Sequence, residues 1–150
     1  MPVIKGAQVV EAMGGRITKQ VEELKNAGVE PCLAILRVGE DGSQMAYERG
    51  ARNRLDKYGI KCETTALEQD VSQEDFEKAF RGLNEDAAVH GILILQPLPK
   101  SLSLDKIKME INPVKDVDAI SPINLFRVFA WDKQAFAPCT AEGVIEILDS

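Results

Sequence analysis

Apolar residues along the chain fall into runs with two different periods. Val9, Val10, Met13, Ile17, Val21 and Leu24 recur on one helical face and predict a helix over residues 5–27, stopped by Gly28. Gly14-Gly15 interrupts that pattern and predicts a break or kink. Three other runs have no helical period. Residues 31–38 (PCLAILRV) and 60–67 read as strands. Residues 91–95 carry no polar side chain, which marks a strand buried on both faces of a parallel sheet. That run ends at Pro97 and Pro99, neither of which can donate a ladder hydrogen bond, with Leu98 held extended between them. Between the strands, residues 44–58 read as a helix with Met45, Ala51, Leu55 and Tyr58 on its apolar face and Gly59 closing it. Ser72 with Asp75 resembles a capping box for a helix that buries Phe76, Ala79, Phe80 and Leu83. A shorter helix over 103–111 turns Leu104, Ile107 and Ile111 inward and ends at Asn112-Pro113. Residues 113–139 are irregular, with one short helix at 124–129. Thr140 then N-caps a last helix over 141–148.

This alternation predicts an α/β fold, a three-layer sandwich with a mainly parallel sheet and helices on both faces. Residues 91–95 are expected at its centre. Ligands bind outside the carboxyl ends of such strands, so the loops 38–44, 67–71 and 96–102 are expected to frame a site. The double proline would form one wall, with Leu98–Pro99 the expected cis bond.

Composition narrows the classes. The chain has 150 residues, enough for one domain with a core, and its 45% hydrophobic and 28% charged content is ordinary for a soluble protein. A net charge of -6 argues against a nucleic-acid partner, which needs a basic face. No run is long enough to span a membrane, and residues 1–5 lack the apolar core of a signal peptide. Cys32, Cys62 and Cys139 are far apart with no C-x-x-C pair, which points to reduced thiols in the cytoplasm and no zinc site. Neither a phosphate loop nor a G-x-G-x-x-G fingerprint is present. The single histidine, His90, precedes the 91–95 run, away from the expected site; it reads as a solvated or hydrogen-bonded structural residue, and a histidine triad is not expected. Tyr47 either faces a pocket or packs on the sheet. Lys115-Asp116-Val117-Asp118 reads as a solvated loop unless a polar ligand meets it. Pro138-Cys139-Thr140 is at least a helix start.

Taken in order, Tyr47 after a glycine turn, Pro97-Leu98-Pro99-Lys100, Pro113-Val114-Lys115-Asp116-Val117-Asp118 and Pro138-Cys139-Thr140 resemble one family: the N-terminal catalytic domain of methylenetetrahydrofolate dehydrogenase/methenyltetrahydrofolate cyclohydrolase. The resemblance covers essentially the whole chain. It implies a folate substrate, with Tyr47 stacking on a folate ring and Asp118 accepting hydrogen bonds from the pterin, both as catalytic residues. It implies Gln96, Pro97, Leu98, Pro99 and Pro138 as further substrate contacts. Cys139 and Thr140 would stand toward NADP or NAD, bound mainly by a following Rossmann domain. The chain then reads as a fragment, inactive as a dehydrogenase by itself, of a homodimer whose contacts lie largely in that other domain. It brings no metal.

The chain departs from the family's pattern at four places. A Lys is expected four residues after the Tyr, where this chain has Ala51. Arg52 and Arg54 lie nearby but cannot give up a proton. The Gln expected two residues before the first proline is Leu95, with Gln96 on the other face of an extended chain. Ala119 replaces a Gly, and the Ser of the glycine turn is displaced to Ser43. Hydride transfer requires chiefly that two rings be held together. Attack of water on the methenyl carbon requires a positioned acid or base. The departures therefore lean toward a dehydrogenase whose cyclohydrolase activity is weak or absent. A bifunctional enzyme would need another proton carrier, with Lys100 or Lys115 first in line. A non-catalytic folate-binding domain and an unrelated flavodoxin-like interaction module are the other classes; the last predicts no folate binding.

Overall fold

The computed structural model describes residues 6–148, so the expectations for residues 1–5, the signal-peptide reading and the helix start at residue 5, lie outside the described residues. In order, the elements are α1 (Gly6–Asn26), β1 (Cys32–Val38), α2 (Gly42–Lys57), β2 (Lys61–Leu67), α3 (Gln73–Glu85), β3 (Gly91–Ile94), α4 (Asp105–Glu110), α5 (Pro122–Phe129) and α6 (Cys139–Leu148). All strand pairs are parallel, in the order β2-β1-β3.

The α/β alternation holds, but β1 is the central strand, not 91–95. The outer flank of β3 is sealed by a loop instead of a strand. The Ile92 N–H donates to the Lys115 carbonyl at 2.7 Å, and Ile92 forms an isolated parallel bridge with Asp116. The apolarity of β3 thus reports burial beneath helices and loop, which a second strand neighbour would mimic.

Alternation along the strands divides the interior in two. Ala34, Leu36, Val38, Ile92 and Ile94 meet Phe76 and Phe80 of α3 and Ile107 of α4 in the main core. On the other face Ile35, Cys62 and Leu95 form a thinner cluster with Leu33, Ala51, Leu55 and Leu93. Local signals set the helix starts. Asp41 caps α2, accepting from the Ser43 and Gln44 N–H groups at 2.9 and 3.0 Å, so this helix begins before residue 44. Ser72 caps α3 as expected, accepting from the Asp75 N–H at 3.1 Å.

Two backbone expectations are corrected. Helix α1 runs unbroken through Gly14-Gly15. Gly14 is buried because α1 lies against Tyr58: a Cβ there would stand 2.9 Å from the Tyr58 hydroxyl. The cis bond is Gln96–Pro97, not Leu98–Pro99. The Leu95 N–H still donates to Leu36 at 3.0 Å, so the chain must leave the ladder immediately afterwards, at the first proline.

Candidate active site

Helix α2 contacts β2, and the flank of β3 on that face is left open. Along it run two adjoining clefts that share Tyr47, Leu93 and Asp118. One, of about 350 Å³, reaches toward the strand ends past Gln44, Leu95 and Gln96. The other, of about 540 Å³, has an apolar floor including Leu33, Ala51, Leu55 and Gly91 and extends to His90 and Cys139. The site therefore lies along the face of the sheet, where the sequence placed it at the carboxyl edge. It reaches the strand starts, which brings in His90. That residue has the structural bond expected of it, its Nδ1 accepting from the Cys32 N–H at 3.3 Å.

The structure brings together Tyr47, Gln96, Asp118 and Cys139. Tyr47 is 59% exposed, so its ring borders the cleft and is not spent on sheet packing. Gln96 lines the same cleft as Leu95 because the strand ends at Ile94, the last ladder bond is that of the Leu95 N–H, and strict alternation does not extend to Gln96. Pro97, Leu98 and Pro99 line a neighbouring cleft of about 430 Å³ instead. Gln44 is common to both sides, and its Nε2 donates to the Pro97 carbonyl at 2.8 Å. Pro138 and Thr140 line none of these three clefts.

Asp116, passed over in the sequence as part of a charged loop, is what aims Asp118. It is 1% exposed. Its carboxylate accepts from the Ile120 and Ser121 N–H groups, both at 2.9 Å, and from Asn124 Nδ2 at 3.0 Å. Asn124 also donates to the Pro113 carbonyl at 2.9 Å. The loop is thus closed on itself, with Val117 against Gly91 and Asp118 at the cleft. Cys139 Sγ donates to the Val117 carbonyl at 3.0 Å. Partial desolvation first, and then the charges of Asp118 and Glu142, push the pKa of this exposed thiol up. Ala119, where the family pattern has Gly, sits in the left-handed region at φ 52°.

Neither lysine proposed as a substitute proton carrier reaches the cleft. Lys115 Nζ donates to the carbonyls of Asn84 and Asp86 at 2.9 and 2.7 Å, at the end of α3. Lys100 is exposed and lines none of the three clefts. Ala51 and Leu95, by contrast, belong to one apolar cluster.

The model of a family described as tetrahydrofolate dehydrogenase/cyclohydrolase, catalytic domain, matches residues 4–118. The chain belongs to this family. It is 47% identical to the bifunctional protein FolD of Alkaliphilus oremlandii over 146 residues, 97% of this chain and 51% of that protein. The chain therefore spans about half the length of the curated relatives it matches. A crystal structure of the bifunctional FolD dehydrogenase/cyclohydrolase from Campylobacter jejuni superposes with a TM-score of 0.95 at 30% identity, covering 99% of this chain and 53% of that one. The Trypanosoma brucei dehydrogenase-cyclohydrolase, complexed with NADP cofactor and inhibitor, gives 0.90 at 30% identity over 99% and 52% of the two chains. Within the tetrahydrofolate dehydrogenase/cyclohydrolase family, then, this domain has Tyr47 and Asp118 lining the same two clefts. At positions 51 and 95 it has Ala and Leu, which share one apolar cluster.

Proposed function

We propose that this chain is the folate-binding catalytic domain of a methylenetetrahydrofolate dehydrogenase, acting in one-carbon metabolism in the cytoplasm. The observation that carries the reading is the meeting of Tyr47, Asp118 and Gln96 around an apolar floor. That arrangement suits a flat ring with a hydrogen-bonding edge: Tyr47 stacks on the ring, Asp118 accepts from the pterin amino groups, and Gln96 contacts the edge from the strand-end side. Pro97, Leu98 and Pro99 support that wall through Gln44, and Pro138 sets the start of α6. Bound NADP or NAD supplies the hydride acceptor. Cys139, which lines the cleft with Asp118, and Thr140, the next residue, exposed in the first turn of α6, fit a cofactor arriving from that side. A second, dinucleotide-binding domain would hold most of it, in a homodimer. The chain's own work is to bind the folate, orient its methylene carbon and exclude water from the face of the sheet.

Cyclohydrolase activity is proposed to be weak, because position 51 is Ala and neither Lys100 nor Lys115 reaches the cleft in its place. The names of the relatives favour a second reading, in which the whole protein has both activities by a different route. Paired dehydrogenase and cyclohydrolase assays on the full-length protein separate the two. For the site itself, Asp118→Ala should weaken tetrahydrofolate binding by roughly 1–3 kcal/mol, the usual cost of unpaired buried polar groups. Parent-like affinity in that variant would sink the assignment.

A further inference from the structure

Helix α2 carries Tyr47, yet it has little apolar surface with which to fix its place. Gln44 is its one buried residue. The stripe it turns to the sheet reads Gln44, Glu48, Ala51 with Arg52, and Leu55, at helical spacing. Its middle is charged. Glu48 Oε2 accepts from Arg37 Nε of β1 at 2.9 Å, with both side chains largely buried, at 15% and 10% exposure. Glu48 Oε1 accepts from the Thr64 hydroxyl of β2 at 2.7 Å. Arg52 Nη2 donates to the Thr64 hydroxyl at 2.8 Å, and Nη1 to the Cys62 carbonyl at 2.8 Å. Arg37 in turn donates to the Gly39 carbonyl, at the turn that leads into α2.

These contacts differ in kind from the apolar ones. A methyl group and one leucine tolerate a helix that slides or rolls by an ångström, whereas a carboxylate held from two strands does not. A buried ion pair gives little net stability against an apolar pair of the same size, and its best-attested use is to fix register.

We propose that Glu48 is the positioning residue of this site: through Arg37 and Thr64 it fixes α2 on the sheet and so sets Tyr47 over the cleft. The proposal rests on the folate reading only for what Tyr47 then does, and the test keeps the two apart.

The chain contains two tyrosines, Tyr47 and Tyr58. Tyrosine labelled at Cζ alone therefore gives a two-signal carbon NMR spectrum, assigned with Tyr47→Phe. Thr64→Val removes one bond to Glu48 from a strand sixteen residues away and leaves no charge alone. It should displace or broaden the Tyr47 signal and leave Tyr58 in place. Arg37→Leu/Glu48→Leu replaces the pair by apolar volume and leaves Arg52, which also pairs with Glu48 at 3.5 Å, to the Thr64 hydroxyl and the Cys62 carbonyl. It should keep the melting temperature within a few degrees while the tetrahydrofolate Kd rises about tenfold. Tyr47→Ala should then cost less in that background than in the parent, because the two sites act as one. A Tyr47 signal unmoved by Thr64→Val, or additive losses in the cycle, overturns the proposal. If the parent fails to bind tetrahydrofolate, the folate reading falls, and the Tyr47 spectrum still decides the role of Glu48.

Discussion

Ala51 packs against the small cluster of Ile35, Cys62 and Leu95, so the two positions share apolar neighbours. Ala51→Lys alone puts an ammonium at the apolar floor of the cleft, where desolvation lowers its pKa. Leu95→Gln alone buries an amide where a leucine is 5% exposed. Together they supply a proton carrier and its partner. In the full-length protein the double change should raise cyclohydrolase activity at least about tenfold, part of the 100- to 10,000-fold that acid–base groups contribute, and change the dehydrogenase rate much less. Robust cyclohydrolase activity in the unmodified enzyme would defeat the premise. Glu48 gives a residue-scale prediction in pH. Desolvation raises its pKa, but the bonds from Thr64 and Arg37 outweigh it and hold the carboxyl below the ordinary glutamate range. The unfolded chain therefore takes up this proton first. The stability Glu48 confers is complete above the ordinary glutamate pKa and is lost as pH falls through the lower folded value. Urea midpoints measured from about pH 6 to 3 should show that acid limb in the parent and a shallower one in Thr64→Val. Equal slopes would refute it.

At the scale of elements, β3 and the loop that seals it act as one piece. A Cβ on Gly91 would stand 2.7 Å from Val117 Cγ1 and 3.1 Å from Leu33 Cδ1. Gly91→Ala should therefore cost roughly 1–3 kcal/mol and, by moving Val117, weaken folate binding through the adjacent Asp118. A variant with parent urea midpoint and parent affinity would show that the loop yields freely. This piece was poorly legible in the sequence. Lys115-Asp116-Val117-Asp118 has the look of a solvated run, and charge alone does not reveal that Asp116 is buried. A signal was available further on. Ser121 accepts from the Asn124 N–H at 3.1 Å and Pro122 opens α5, so a cap and an N-terminal proline start that helix two residues before 124. Three donors converging on Asp116 become visible only once Ser121 and Asn124 are folded back.

For the whole molecule, element order was readable because periods of two and of 3.6 are local properties. Strand order was not, because an apolar strand looks the same whether a strand or a loop covers its flank. Tyr47 and Asp118 were legible as candidate residues through family motifs, yet not the cleft they share, which depends on how α2 lies beside β3. That cleft is lined by Leu33, Ala51, Leu55 and Leu93 and open to water, which has a consequence in calorimetry. Water released from such a floor carries a heat-capacity signature that hydrogen bonds do not. Titration of tetrahydrofolate at several temperatures should give an enthalpy that grows steadily more negative on warming, the mark of apolar surface leaving water. The slope should be smaller in Ala51→Lys/Leu95→Gln. A flat enthalpy would mean that the ring never reaches the floor and stays among the polar groups at the rim.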